Sequence, residues 1–199
     1  MEILYKVHNN LYVNLTNKCP CACTFCLRQK TDRVGESDRL WLEHEPTWEE
    51  ILEAFKEKDV EEYEEVVFCG FGEPTEALEM LKKTAAYVKE KYHKKIRLNT
   101  NGMGNLIHGR DITPELSGLI DTVSISLNTP NAERYQEIVQ SRFGEKSFEG
   151  MLDFARKCKA HIPNVVMTTV ETTITKEEEK MCQEICDEIG VKYRIRPFE

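Results

Sequence analysis

The chemistry of this chain is concentrated in four cysteines that lie within eight residues, Cys19, Cys21, Cys23 and Cys26. Cys19, Cys23 and Cys26 have the spacing C-x3-C-x2-C, on a loop at about residues 17–30 that is predicted to follow a strand. Three thiolates can hold a four-iron cluster and leave one iron without a protein ligand, as a cluster that binds and reduces a substrate requires. The spacing therefore predicts an iron–sulfur site that carries out chemistry.

Two other kinds of site are compatible with cysteines this close together. A closed zinc or iron site made of all four thiols is one, although Cys19 and Cys21 are separated by a single residue and structural zinc knuckles usually have two to four. A secreted disulfide framework is the other, and the polar start of the chain does not resemble a secretion signal. In the iron–sulfur interpretation Cys21 is the spare thiol, and a register in which it replaces Cys19 or Cys23 stays open.

Three further segments place small or polar residues where predicted strands end. Residues 69–75 read CGFGEPT, in which two glycines permit a sharp turn and a close approach to a ligand and Pro74 suits the first turn of a helix. Residues 99–102 read NTNG, which is typical of a turn. Residues 124–128 read SISLN and alternate polar with apolar side chains, so that their polar residues share one face of a strand. Each segment is also compatible with a purely structural role.

The cysteine spacing, with Phe25 immediately before Cys26, resembles the signature of the radical S-adenosylmethionine (radical SAM) superfamily. The resemblance implies a 4Fe-4S cluster on Cys19, Cys23 and Cys26, with S-adenosyl-L-methionine bound to the open iron. It also implies a reaction in which the reduced cluster cleaves S-adenosylmethionine to methionine and a 5'-deoxyadenosyl radical, which then removes a hydrogen atom from the substrate.

The same resemblance implies which residues contact the cofactor. CGFGEPT is similar to the GGEP-type motif that binds the amino group of S-adenosylmethionine, and NTNG and SISLN match segments that contact its methionyl, ribose or carboxylate parts. Residues 165–171 and 194–198 are expected to approach the adenine. The predicted cofactor contacts are Phe25, Gly70, Phe71, Gly72, Glu73, Pro74, Thr100, Asn101, Ser126 and Asn128.

The remaining cysteines do not form a comparable pattern. Cys182 and Cys186 are one helical turn apart and, with Cys158, suggest a second metal site, but they lack a close C-x2-C pair or a histidine. The alternative is that all three pack as small hydrophobic residues. Cys69 lies at the end of a predicted strand, where it is either a substrate-facing thiol or a structural residue.

The apolar pattern alternates between short runs rich in β-branched residues and longer helical ones, which predicts an α/β fold with a parallel sheet. Six such units match the partial (β/α)6 TIM-type barrel of the radical SAM core, with the site at the carboxyl ends of the strands. A chain of 199 residues is expected to form one such domain over residues 1–199. The predicted strands are 11–15, 66–69, 96–100, 122–127, 165–171 and 192–195, and the predicted helices are 47–58, 75–92, 131–139, 147–160 and 176–189.

Composition restricts the partners. The net charge of −8 argues against an extended nucleic-acid-binding face, and the sequence has no apolar run of membrane-spanning length. We therefore expect a cytoplasmic protein that takes electrons from a reductant protein such as flavodoxin or ferredoxin. Because the chain ends just after the sixth predicted strand, we expect an open site that accepts a small molecule or a partner protein.

Taken together, the motifs most resemble the small TatD-linked radical SAM proteins, and the resemblance covers nearly the whole chain. It predicts a radical SAM enzyme with an unidentified substrate. A glycyl-radical-type activase acting on a partner protein and a deazapurine-type synthase are alternatives within the superfamily. A non-catalytic iron–sulfur or zinc-binding protein is the alternative of a different class.

Overall fold

The structure is a computed structural model that describes residues 1–35 and 37–197. The chain packs into two compact units, each made of more than one segment. Our expectation of one radical SAM core domain over residues 1–199 stays a prediction. The first unit comprises Met1–Cys19, Phe25–Asn99 and Leu119–Asp121, and the second comprises Pro20–Thr24, Thr100–Gly118 and Thr122–Glu199.

The first unit contains a sheet whose strands follow one another in chain order. Strand β1 (Leu4–Val7) pairs antiparallel with β2 (Asn10–Val13), which pairs parallel with β3 (Glu65–Phe68). Strand β3 pairs parallel with β4 (Lys95–Thr100), whose last residue belongs to the second unit. Alternate positions such as Leu11, Val66 and Ile96 are opposite one another and fully buried, so one face of this sheet forms the core of the unit.

Two amphipathic helices complete the first unit. Helix α1 (Trp48–Lys56) begins with a capping box between Thr47 and Glu50 and buries Ile51 and Phe55. Helix α2 (Leu78–Tyr92) follows a short 3₁₀ turn at Pro74–Ala77. Further 3₁₀ turns lie at Leu27–Gln29 and Val60–Glu62.

The second unit contains three parallel strands and most of the helices. Strands β5 (Thr122–Ser126), β6 (Asn164–Val170) and β7 (Lys192–Arg196) pair in that order. Val123 and Ile125 of β5 and their partners Val165 and Met167 of β6 are buried on one face of these strands. The helices are α3 (Gly104–His108), α4 (Ala132–Val139), α5 (Lys146–Cys158) and α6 (Lys176–Ile189), with a 3₁₀ turn at Thr113–Leu116.

The six strands predicted from the sequence are confirmed as β2 to β7, and α6 has the predicted bounds. Strand β1 was missed because Lys6 interrupts the apolar run of its residues, LYKV. The predicted helix 75–92 was too long at its start, since the backbone at Ala77 leaves the helical region between the 3₁₀ turn and α2. Of the segment 194–198 predicted to approach adenine, residue 198 lies outside the described part of the chain.

Across residues 1–35 and 37–197, no helix combines the length and the apolar character that crossing a membrane requires.

Candidate functional site

The residues predicted to form the site are divided between the two units. The first unit holds Cys19, Phe25, Cys26 and the turn at residues 69–75. The second unit holds Cys23 and the polar segments at residues 100–102 and 126–128. The side chains within each unit can therefore be described from their own contacts.

The turn at residues 70–74 packs directly against the segment that leads from β2 to Cys19. The Glu73 amide donates a hydrogen bond to the Lys18 carbonyl oxygen over 2.8 Å. A Cβ atom placed on Gly72 would lie 2.1 Å from the Thr16 carbonyl oxygen and 2.7 Å from that of Lys18. Because both obstacles are backbone atoms, only glycine fits at position 72. The turn thus fixes the path of the backbone just before Cys19.

Glu73 is buried, and its carboxylate is used inside the turn. One oxygen accepts hydrogen bonds from the Thr75 amide at 3.2 Å and from the Thr75 hydroxyl at 2.8 Å. In this position Glu73 caps the 3₁₀ turn that begins at Pro74. The side chain therefore holds the shape of the motif.

The Asn14 side chain packs against the same turn at Gly70, a contact that we did not predict from the sequence. Its side chain is fully buried, and its amide nitrogen donates to the Leu40 carbonyl oxygen over 2.7 Å. A Cβ atom on Gly70 would lie 2.1 Å from the Asn14 side-chain oxygen, so a larger residue there would displace the Asn14 side chain. The sequence does carry a signal for this role, namely an asparagine directly after the apolar strand β2. A polar side chain buried at such a position needs a specific hydrogen-bond partner.

Aromatic packing and one arginine hold the middle of the turn. Phe71 is buried, and its ring packs edge-on against Trp41 with 5.2 Å between ring centroids. The guanidinium of Arg28 donates to the Phe71 carbonyl oxygen at 3.3 Å and to the Asn17 carbonyl oxygen at 3.5 Å. Arg28 therefore joins the segment after Cys26 to the turn. Phe25, predicted to contact the cofactor, is half-buried.

In the second unit, the segment Pro20–Thr24 is hydrogen-bonded to the end of helix α4 and to the residues just after it. The Ala22 amide donates to the Val139 carbonyl oxygen at 3.1 Å, and the Thr24 amide donates to that of Ile138 at 2.9 Å. The Arg142 amide donates in the opposite direction, to the Pro20 carbonyl oxygen, at 2.9 Å. These bonds flank Cys23 on both sides and fix the backbone from which its thiol projects.

Cys21 is distinguished from the other three cysteines of the motif by its burial. It is 5% exposed, and its sulfur lies 3.7 Å from the Met103 sulfur and 3.6 Å from the Asn101 side-chain nitrogen. Cys19, Cys23 and Cys26 are partly exposed. These contacts support the interpretation of Cys21 as a structural thiol and leave three accessible thiols with the spacing of a cluster motif.

Thr100 and Asn101 shape the turn that carries them. The Thr100 hydroxyl accepts from the Gly102 amide at 3.1 Å, and the Asn101 side-chain oxygen accepts from the Met103 amide at 2.9 Å. Gly102 has a φ of +76°, and a Cβ atom there would meet Ile125 and Met151 at 2.9 Å. A contact of Thr100 or Asn101 with the cofactor stays a prediction.

Ser126 and Asn128 lie at the carboxyl end of β5. Ser126 is half-buried opposite Thr168 of β6. Asn128 is buried and has a φ of +63°, and its amide donates to the Thr168 carbonyl oxygen at 3.2 Å. A residue with positive φ that is not glycine is uncommon, and such conformations often occur at functional sites. Their predicted contact with the cofactor remains a prediction, and this backbone geometry supports it.

Among residues 1–35 and 37–197, no three histidine, cysteine, aspartate or glutamate side chains already stand close enough to bind a metal ion. The assignment of Cys19, Cys23 and Cys26 as cluster ligands is therefore a prediction based on spacing, accessibility and donor chemistry. Thiolates are the usual ligands of iron–sulfur clusters. All eight cysteines are described, and none forms a disulfide.

Comparison with known protein families identifies the chain. The model of the radical SAM superfamily matches residues 13–189, which include the cysteine motif and all of the segments described above. This chain belongs to the radical SAM superfamily. The family uses a 4Fe-4S cluster and S-adenosylmethionine. Membership agrees with the family resemblance of the sequence motifs, whereas the narrower TatD-linked group is not shown.

One curated relative is the GTP 3',8-cyclase of Clostridium perfringens. It is 28% identical to this chain over 186 residues, which are 92% of this chain and 51% of the relative. The chain thus spans about half the length of the curated relative that it matches.

Solved structures of the family show the same fold. Streptococcus suis SuiB bound to its precursor peptide SuiA has a TM-score of 0.66 and 19% identity, covering 96% of this chain and 39% of SuiB. SuiB bound to S-adenosylmethionine has a TM-score of 0.62 and 19% identity, covering 94% of this chain and 38% of that protein. The radical SAM chain therefore has the α/β fold with a parallel sheet of a partial TIM-type barrel, as predicted.

Proposed function

We propose that this chain is a radical SAM enzyme that holds a 4Fe-4S cluster on Cys19, Cys23 and Cys26. The observation that supports this most is the contrast among the four clustered cysteines. Three partly exposed thiols have the family spacing, while Cys21 is buried against Met103. When bound, the reduced cluster would supply the electron that cleaves S-adenosylmethionine and so produces a radical able to take hydrogen from a substrate.

The chain's own residues would orient the cofactor. The backbone of the turn at residues 70–73 would meet the amino group, since Gly70 and Gly72 are partly exposed and the Glu73 side chain bonds within the turn. Ser126 and Asn128, at the end of β5, would supply polar groups to the carboxylate or ribose. The remaining proposed contacts with the cofactor are Phe25, Phe71, Pro74, Thr100 and Asn101.

We place the substrate outside the class of extended nucleic acids, because the net charge of −8 is unfavourable for a long phosphate backbone. A compact molecule or a partner protein remains, and we propose that the chain is one of the small TatD-linked radical SAM proteins that its motifs resemble. Relatives act on both classes by name: one is a GTP cyclase, and another binds a precursor peptide. A flavodoxin or ferredoxin in the cytoplasm would supply the electrons, and eight cysteines without a disulfide are compatible with a reducing compartment.

The test is to separate cluster assembly from cofactor binding. Glu73→Ala should weaken binding of S-adenosylmethionine to the reconstituted protein while iron content stays close to that of the wild type. Glu73→Gln keeps an oxygen that can accept from Thr75 and is the matched control. Affinity would be measured by calorimetry and iron by colorimetric assay. Unchanged affinity in Glu73→Ala would remove the turn from the cofactor site.

A further inference from the structure

Arg28 connects three segments of the first unit. It lies two residues after Cys26, and one of its terminal guanidinium nitrogens donates to the Phe71 carbonyl oxygen at 3.3 Å and to the Asn17 carbonyl oxygen at 3.5 Å. Asn17 precedes Cys19 by two residues, and Phe71 lies in the turn that carries several of the predicted cofactor contacts. A single side chain therefore links the backbone beside two predicted cluster ligands to that turn.

Arg28 belongs to a short turn that apolar packing does not hold in place. The 3₁₀ turn Leu27–Gln29 starts at Cys26 and buries none of its own residues. Leu27 is 44% exposed, whereas Arg28 is half-buried. The Gln29 amide donates to the Cys26 carbonyl oxygen at 3.0 Å, so Cys26 and the turn share one hydrogen-bonded backbone. The polar contacts of the Arg28 side chain therefore tie this backbone to the other two segments.

Both acceptors of Arg28 lie on segments that other contacts already fix. The Asn17 side chain pairs in both directions with the Leu42 backbone, donating to its carbonyl oxygen at 2.7 Å and accepting from its amide at 3.1 Å. The Phe71 ring is buried against Trp41. Hydrogen bonds from a charged donor are stronger than those between neutral groups. Arg28 therefore fixes the backbone at Cys26 relative to the turn that contains Phe71.

We propose that Arg28 is a positioning residue that sets the distance between the cluster ligand Cys26 and the turn at residues 70–74. The proposal rests on the proposed function, because it adds a residue to the same site. A binding site works only when supporting contacts hold its groups to within about 0.5 Å of the productive geometry. Without the Arg28 donors, the chain keeps its three thiols and presents the turn to S-adenosylmethionine less accurately.

The alternative is that Arg28 only stabilises the fold. Loss of its hydrogen bonds would then lower the melting temperature, the iron content and the affinity for S-adenosylmethionine together. A positioning role instead lowers the affinity while the melting temperature and the iron content stay close to those of the wild type. The two explanations are separated by which of these three quantities change.

Three variants make the comparison. Arg28→Met keeps an unbranched apolar side chain and removes every donor. Arg28→Lys keeps the charge, and its ammonium has three hydrogens to share between the two carbonyl oxygens. Arg39→Met is the matched control, because Arg39 follows in the same loop, is exposed, and pairs with Asp32 at 3.8 Å. Thermal melting of each variant shows whether its fold is intact.

The first measurement is hydrogen exchange by mass spectrometry on the full chain, before and after reconstitution of the cluster. The amides to follow are those of Gln29 and Glu73, which donate to the Cys26 and Lys18 carbonyl oxygens. Arg28→Met should speed exchange in the peptides that contain them by about threefold or more, since both segments lose a shared hydrogen bond. Arg39→Met should leave both peptides unchanged.

The second measurement is calorimetry with S-adenosylmethionine on the reconstituted protein. Arg28→Met should weaken binding about tenfold at wild-type iron content, and Arg28→Lys should stay within about threefold of the wild type. The electron paramagnetic resonance spectrum of the reduced cluster with saturating S-adenosylmethionine should be altered in Arg28→Met. In Arg28→Lys and Arg39→Met it should match that of the wild type.

Four results would overturn the proposal. They are unchanged exchange in Arg28→Met, a fall in its melting temperature and iron content that parallels its loss of affinity, no recovery of affinity in Arg28→Lys, and an effect of Arg39→Met equal to that of Arg28→Met. Exchange in the cluster-free chain does not depend on the cofactors. A failure there is therefore distinguishable from a wild type that binds no S-adenosylmethionine, which would contradict the proposed function.

Discussion

The eight cysteines of the chain differ mainly in their access to solvent. Cys19, Cys23 and Cys26 are partly exposed, whereas Cys21, Cys158, Cys182 and Cys186 are buried. A cluster ligand must reach an inorganic ion, while a buried thiol packs as a small hydrophobic group. Cys69 is partly exposed as well, so burial leaves four of the eight cysteines as candidate ligands, and three of those four have the family spacing.

Alanine substitutions in the motif should separate ligands from structural thiols. Replacing Cys19, Cys23 or Cys26 should abolish retention of iron after anaerobic reconstitution, because each would supply one of only three protein ligands. Cys21→Ala should keep iron close to the wild-type level and lower the free energy of unfolding by about 1 kcal/mol, since it leaves a small gap beside Met103. Loss of iron in Cys21→Ala with retention in Cys19→Ala would show that the ligand register is wrong.

The three buried cysteines outside the motif should be unreactive. Burial raises the pKa of Cys182 and of Cys186 to about 12 and raises that of Cys158 further. A raised pKa keeps the thiol protonated, and only the thiolate is nucleophilic, so alkylation at pH 8 should be slow in the folded protein. Mass spectrometry after a short iodoacetamide pulse on the cluster-free protein should find label on Cys19, Cys23 and Cys26 well before these three. Early labelling of Cys182 or Cys186 would contradict a core role for α6.

At the scale of elements, the strands that carry the site were predictable from the sequence, and the contacts of the turns were not. Strands β2 to β7 have apolar residues in short runs or at alternating positions, and Pro and Gly mark the turn at residues 70–74. The role of Glu73 was not visible, because the residue that it caps, Thr75, is only two positions away and gives no periodic signal. The contact between Gly72 and Thr16 joins residues far apart in the sequence, and one sequence does not report such pairs.

That contact changes what a substitution at Gly72 should do. From the sequence, we would expect Gly72→Val to weaken cofactor binding and spare the cluster. A Cβ atom at this position would instead lie 2.1 Å from the Thr16 backbone, so the segment before Cys19 must move. We therefore expect Gly72→Ala to lose iron as well as affinity for S-adenosylmethionine.

Gly109→Ala is the matched control for Gly72→Ala. A Cβ atom at Gly109 meets nothing within 4 Å, although its φ of +63° disfavours alanine. The substitution should cost about 1 kcal/mol of stability through backbone strain and leave iron unchanged. Iron content and thermal melting of both variants provide the comparison. Full iron retention in Gly72→Ala would mean that the turn does not position Cys19.

At the scale of the whole molecule, the net charge of −8 sets a limit on the partners. Binding to random-sequence duplex DNA or RNA releases counterions only where cations contact many phosphates. We expect a dissociation constant weaker than about 1 µM at physiological salt. Fluorescence anisotropy across a salt series measures this, and tighter binding with a steep salt dependence would make nucleic acid the first candidate substrate.

The family was predictable from the sequence for a physical reason, and the substrate was not. Cysteine spacing and the turn at residues 70–74 serve the cluster and the cofactor, which are common to the superfamily. A substrate is recognised by side chains that several strands bring together, and one sequence does not report how those strands pair. Fold and chemistry therefore follow from local motifs, whereas specificity follows from how the strands pair.

Above all, we propose that this chain cleaves S-adenosylmethionine at a cluster held by three cysteines. The most direct test is anaerobic reconstitution with iron and sulfide, reduction with dithionite in the presence of S-adenosylmethionine, and chromatographic detection of 5'-deoxyadenosine and methionine. We predict that both products form with the wild type and with Cys21→Ala and are absent with Cys23→Ala. A fully reconstituted, reduced wild-type protein that binds S-adenosylmethionine and yields no 5'-deoxyadenosine would contradict the account and leave a non-catalytic iron–sulfur protein in its place.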